Sequence, residues 1–242
     1  AHSATHLLHH ALHTHLGEHA QQQGSKVEED VLRFDFSNPN ALSADQLEQI
    51  QLHVTERIEQ DAGVTASILP LAEARSRGAM MLFGEKYPDP VRMIAMGDFS
   101  KELCGGTHLE NTAGVGLFEI ISEESVSAGT RRIVAFTGEK ARKHRESADM
   151  ILSGIAQQLS IDLDQIPAAV EALARHVRDI KKRIEKHAPQ QSEFSLQGAA
   201  RMRRSIPQLL HATANVLNVA IGDVRDRFEG LLAERGVLEK QL

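Results

Sequence analysis

The chain has 242 residues and a mass of 26.6 kDa, with 41% hydrophobic and 25% charged residues, enough for one large domain or two small ones with proper cores. This composition excludes collagen, low-complexity disorder and a disulfide miniprotein. No apolar run approaches the ~20 residues of a membrane span, so no membrane partner is expected. The net charge of -6 divides unevenly, with 11 Lys and Arg against 20 Asp and Glu in residues 1–140, and 16 against 13 in residues 141–242. An acidic first part argues against broad nucleic-acid binding but allows a local contact to a nucleic-acid end. The absence of Trp and the single Tyr argue against an aromatic base-stacking platform. No basic-then-apolar signal-peptide pattern is read in the first residues. One cysteine, Cys104, permits no internal disulfide and suits a reducing, cytoplasmic setting.

In chain order, His2 to Gly24 reads as a helix with Leu7, Leu8, Ala11, Leu12 and Leu16 on its apolar side, stopped by Gly24. Val27–Phe36 alternates after Asp30, with Val31, Arg33 and Asp35 against Leu32, Phe34 and Phe36, a strand signature. Ser43 is a plausible N-cap for a helix carrying Leu47, Ile50, Val54 and Ile58, with Gly63 as its stop. Val64–Leu69, Met80–Phe83, Val91–Met96, Leu117–Ser122 and Arg131–Phe136 read as strands. Strands mixed with a few helices and no regular βαβ alternation predict an α+β domain with a mixed, largely antiparallel sheet.

From about Gly138 onward the period is helical throughout. The expected division is residues 1–138 as an α+β domain and 139–242 as an all-α helical-hairpin or coiled-coil region. The second part repeats itself. Shifted by 58 residues, Leu159 falls on Leu217, Ile166 on Val224, Val170 on Phe228, Leu173 on Leu231 and Ile184 on Leu242. Each copy reads as helix, turn, helix, over 139–187 and 196–242, with turns near Ser160–Asp164 and Asn218–Gly222 and a link at Lys186–Ser195. The apolar stripes must be buried, against each other, against a second chain or against a further domain of a longer parent, and self-association is the favoured expectation. Arg201, Arg203 and Arg204 are read as a solvated face.

Seven histidines lie within the first nineteen residues. His2 and His6 are four apart, which on a helix places both imidazoles on one face, able to take two corners of a zinc tetrahedron. His6/His10, His9/His13 and His15/His19 share the spacing, so spacing alone does not choose among them. Cys104-Gly105-Gly106-Thr107-His108 adds a thiol and an imidazole four residues apart, with glycines that let the backbone turn. A site of His2, His6, Cys104 and His108 is reasonable. No Glu follows the first histidine, so this is not a metalloprotease HExxH arrangement.

At these residues the chain resembles a known family. His2-Ser3-Ala4-Thr5-His6-Leu7-Leu8-His9 resembles the first zinc motif of the alanyl-tRNA synthetase editing domain, and Leu103–His108 resembles the second. Gln22–Ser25, Leu32–Phe36, Leu82–Tyr87, Gly97–Ser100 and Gly129–Ile133 are similar to further segments in family order. The resemblance covers roughly residues 2–140. The helical remainder is similar in kind to the segment beyond the editing domain in that family. The chain opens one residue before a ligand and ends inside a helical pattern, so an excised fragment is expected.

The resemblance implies Zn2+ held by His2, His6, Cys104 and His108, and hydrolysis of Ser-tRNA(Ala) and Gly-tRNA(Ala). Zinc either activates water or anchors the terminal ribose of the tRNA(Ala) acceptor end. Cys104 and His108 are implied in catalysis, with Cys104 either a fixed ligand or one that swings away. Gln22 matches a position associated with editing and either holds the serine hydroxyl or is a surface glutamine. Arg131 and Arg132 are candidates for the terminal phosphates, one facing the site and one solvent. Arg33 and Lys86 are candidates for the same task, whereas Asp98 reads as a turn residue. The competing classes are a free-standing editing protein and an inert tRNA-binding or oligomerisation module with a structural zinc.

Overall fold

The computed structural model describes residues 1–81, 86–186 and 205–241. Leu82–Glu85 of one expected segment, most of the expected link, Arg201, Arg203, Arg204 and Leu242 lie outside the described residues. The chain divides into two compact units, residues 1–143 and 144–242.

The first unit begins with α1 (His2–Leu16), which has nine buried residues between Ser3 and Leu12. A helix buried on so many sides draws its histidines into the interior. It ends at Gly17 (φ 109°), where the backbone takes a conformation that favours glycine. The expected continuation to Gly24 is corrected. Gln22–Val27 forms β1, and its register against β2 (Val31–Ser37) shifts between Gln22 and Gly24. Such a bulge bends a strand and re-aims a side chain. In β2, Leu32, Phe34 and Phe36 are buried while Arg33 and Asp35 are half-buried, matching the alternation in the sequence.

Helix α2 (Ala44–Glu59) is opened by Ser43, whose hydroxyl accepts from Gln46 N while Gln46 Oε1 accepts from Ser43 N, the reciprocal capping arrangement. It stops four residues before Gly63, and Asp61 rather than that glycine takes the left-handed φ of 49°. β3 (Val64–Leu69), the short α3 (Leu71–Ser76), β4 (Val91–Met96) and β5 (Ser100–Leu103) come next. β6 (Phe118–Ser127) and β7 (Thr130–Thr137) form a hairpin around Gly129. There are two antiparallel sheets rather than one, in the orders β1-β2-β7-β6 and β3-β4-β5. β5 was not expected from the sequence, because Ser100-Lys101-Glu102-Leu103 is too polar and short to read as a strand. Of the expected strand at Met80–Phe83, the described part is an isolated bridge from Met80 to Glu102.

The core of this unit joins Leu7, Leu8 and Leu12 of α1 to Phe34 and Phe36 of β2, Ile50 and Val54 of α2, Ile94 and Met96 of β4, and Ile133 of β7. Each such side chain contributes about 1.5–3 kcal/mol on burial. α1 contacts β2 of one sheet and β5 of the other.

The second unit holds most of α4 (Gly138–Leu159), then α5 (Ile166–Lys186), α6 (Ile206–Leu217) and α7 (Val224–Leu238). The 58-residue shift holds at the level of single bonds. Ser160 and Asn218 both take φ 54°. Ile161 N donates to Ala156 O, and Val219 N to Ala214 O. Leu163–Gln165 and Ile221–Asp223 are both single 3-10 turns. One apolar cluster joins Leu152, Ile155, Ile166, Val170, Leu173 and Val177 to Leu209, Leu210, Leu217, Val224, Phe228 and Leu231. The stripes are therefore buried against each other within the chain, which removes the sequence argument that a second chain must cover them.

Candidate metal centre

Four donors from two elements converge in the first unit: His2 and His6 from α1, and Cys104 and His108 from the segment after β5. Their ligand atoms all lie within 4.8 Å of one another. Cys104 Sγ lies 3.4 Å from His2 Nε2 and 3.4 Å from His108 Nε2. The edge between S and N in a tetrahedral site with metal–N of 2.0–2.1 Å and metal–S of 2.3 Å is about 3.5 Å. Both His6 ring nitrogens are buried and neither makes a hydrogen bond of ordinary geometry, although Nδ1 lies 2.7 Å from Glu102 Oε2 and the Cys104 thiol acts on the ring; this is a costly state for a polar atom unless something occupies its lone pair. Spacing, donor set and orphaned nitrogen all fit a borderline-soft divalent metal.

The glycines act differently from expectation. Neither Gly105 nor Gly106 has a positive φ. Gly106 is needed because a Cβ there would collide with the His2 ring. Arg92 on β4 shapes the same segment, with one guanidinium nitrogen donating to Cys104 O at 2.8 Å and Gly106 O at 2.6 Å.

The charges oppose burial. Desolvation works against the Cys104 thiolate, but His108, His2 and His6 outweigh it and hold the thiol down at about 3. Burial likewise disfavours a charged His6, yet Cys104 and Glu102 raise it to about 9. Glu102, deeply buried, is brought down to about 2 against its desolvation by His6 and His9. The metal-free cluster is thus a thiolate, a carboxylate and an imidazolium in contact. A divalent cation held there would take the place of the imidazolium proton on His6.

Tertiary structure also assigns the other equally spaced histidines. His9 donates to Glu102 at 3.2 Å. His10 packs on Phe99 and His53, and His15 Nε2 lies 3.1 Å from His53 Nδ1. His19 Nε2 donates to Asn38 Oδ1 at 3.0 Å.

Beside the cluster is a cavity of about 290 Å³ whose walls include His2, His6, Gln22, Met80, Tyr87 and Cys104. Gln22 reaches it from the bulged start of β1, its amide donating to Ser25 Oγ at 3.1 Å.

A family model for the threonyl and alanyl tRNA synthetase second additional domain matches residues 91–134, the stretch carrying Arg92, Cys104 and His108. The alanine–tRNA ligase of Rhodopirellula baltica is 49% identical over 252 residues, covering 100% of this chain. The chain matches a segment of the alanine–tRNA ligase family along its whole length. The alanine–tRNA ligase of Haemophilus influenzae is 37% identical over 249 residues and again covers 100% of the chain; that of Bacillus subtilis is 46% identical over 76% of it. The chain spans only 27%, 28% and 21% of these ligases, in the order Rhodopirellula, Haemophilus, Bacillus.

Within this segment of the ligase family, the basic candidates stand apart from the cavity: Arg33, Lys86, Arg131 and Arg132 are absent from its walls. Arg131 makes a two-bond pair with Glu123, and Arg132 pairs with Asp35 at 2.7 and 2.8 Å. Arg33 is half-buried with its Nε unbonded, and Lys86 is exposed. Asp98 lies in the turn between β4 and β5. Sequence reasoning missed Glu102, Arg92 and Ser3, whose hydroxyl accepts from Leu109 N at 3.1 Å and lies 3.4 Å from His108 Nδ1, and it named His9 only by its spacing. Glu102 was discoverable: it sits two residues before Cys104, on the same side of an extended segment.

Proposed function

We propose that the first unit is a zinc-dependent editing site that hydrolyses Ser-tRNA(Ala) and Gly-tRNA(Ala), the proofreading part of an alanine–tRNA ligase working in the cytoplasm. The observation that carries this reading is the convergence of two His and one Cys/His pair beside a cavity walled by Gln22, in a chain similar to alanine–tRNA ligases throughout. An alanine pocket cannot exclude smaller glycine, and one added hydroxyl or methylene yields only about 1–3 kcal/mol of discrimination. A second site reading a different feature multiplies selectivity.

The cavity is at the small end of ligand pockets, suited to an aminoacyl group at the acceptor end of tRNA(Ala). A zinc ion held there would supply a fixed positive charge beside the cavity. Gln22 offers an amide to the serine hydroxyl, and His2, His6, Cys104 and His108 would hold the cation. Four protein donors fill a tetrahedron, which favours a zinc that positions substrate over one with an open corner. The pairing of Arg131 and Arg132 with carboxylates supports structural cross-strand roles for them over phosphate contacts.

The test is deacylation of Ser-, Gly- and Ala-tRNA(Ala) by the purified chain, with its zinc content measured. One zinc per chain and faster hydrolysis of the serine and glycine esters are expected. His108→Ala abolishes activity, and Gln22→Ala narrows the difference between serine and alanine with the fold intact. Equal rates on serine and alanine esters overturn the editing assignment.

A further inference from the structure

Glu102 is a buried carboxylate, 7% exposed, that is not among the four donors. A buried charge without partners costs several kcal/mol, so its surroundings should explain it. His6 Nδ1 lies 2.7 Å from Oε2 and His9 Nδ1 lies 3.2 Å from Oε1. These histidines are three residues apart on α1, so one helical turn presents both to one carboxylate. A carboxylate only accepts, so each facing Nδ1 carries its proton. For a neutral His6 that leaves the lone pair on Nε2, which is buried.

We infer that Glu102 is a positioning residue of the metal centre: it fixes the tautomer and ring orientation of His6, while His9 holds its second oxygen away from the cation. The inference rests on the metal reading proposed above. It explains why His9, at no ligand position, is buried beside His6. It also places a second negative charge, beside the Cys104 thiolate, close to where a dication would sit. Outer partners of this kind raise ligand basicity, and losing one weakens metal affinity about 10–100-fold.

The experiment compares the whole chain with Glu102→Gln and His9→Gln, using zinc competition against a chromophoric chelator and the visible spectrum of the cobalt(II) form. Circular dichroism checks folding. Glutamine cannot accept from both histidines with both its terminal atoms, so Glu102→Gln is expected to weaken zinc about 10–100-fold and shift the cobalt bands. His9→Gln keeps all four donors and the carboxylate, and is expected to weaken zinc severalfold. If Glu102→Gln does not fold, His9→Gln carries the test. A folded Glu102→Gln chain that binds zinc within twofold of wild type, with the same cobalt spectrum, overturns the inference. The same result for His9→Gln overturns it where Glu102→Gln fails to fold. Wild-type chain that takes up no zinc overturns the metal reading itself, a different failure from wild type binding and the variants matching it.

Discussion

The two units bury different things. Among the described residues, ten of the eleven buried polar or charged ones belong to the first unit, including His6, His9 and Glu102, and the second contributes Thr213. The second unit's core is aliphatic side chains with Phe228, on helices related by a 58-residue shift. Its stability comes from apolar burial, and each polar face can stay in water. The first unit places ionised groups inside and must satisfy them with one another. Chemistry needs the first unit's kind of core, because electrostatic interactions strengthen where water is excluded.

This contrast can be broken by single substitutions. Phe228→Ala removes a side chain at the centre of the aliphatic core and should cost about 3–5 kcal/mol, read as a drop in the denaturant midpoint of the helical unit. Zinc uptake should be unchanged; a parallel loss of metal would show that the units are not independent. Gly106→Ala acts the other way. The new methyl meets the His2 ring, so metal affinity should fall at least tenfold while the helical unit keeps its midpoint. Unchanged affinity would mean that His2 is not a ligand.

Acid should separate the units further. Burial, with His53 and Arg57 beside it, pushes His10 down from 6.5 to about 4. His13 and His53 are also lowered, first by burial. For such groups the unfolded chain takes up protons first, so stability rises with pH and is lost as pH falls. In the metal-free protein the first unit should weaken from pH 6.5 downward to about 4. His6 has the opposite sign, its contribution being lost as pH rises through about 9. His10→Phe should flatten the acid slope, measured by urea unfolding at several pH values. An unaltered slope would assign the acid sensitivity elsewhere.

The smallest effect tests the repeat. Ser160 and Asn218 occupy the same left-handed position at φ 54°, a conformation costly for serine and better tolerated by asparagine. Ser160→Gly should gain about 0.5–1 kcal/mol and Asn218→Gly close to nothing, seen as shifts in thermal midpoint. Equal shifts would show that the two turns are not strained in the same way.

Local patterns were legible because their causes are local. The alternation in Leu32–Phe36, the ends of Val64–Leu69 and Val91–Met96, and the helical stripes through Val170 and Phe228 arise from side-chain period and burial. Polar β5 escaped because its strand character comes from pairing with β4, not from its own residues.

By itself the sequence determined the donor types and the two candidate spacings, His-x-x-x-His and Cys-x-x-x-His. It could not choose among four equally spaced histidine pairs, because that spacing is a property of any helix. Tertiary structure chose: β5 carries Glu102 and leads into Cys104 alongside the buried turn of α1, and histidines facing other neighbours bond to Asn38 or His53 or pack on Phe99 instead. A metal site depends on lone pairs meeting within a few ångströms, and only contacts between residues some hundred positions apart bring that about.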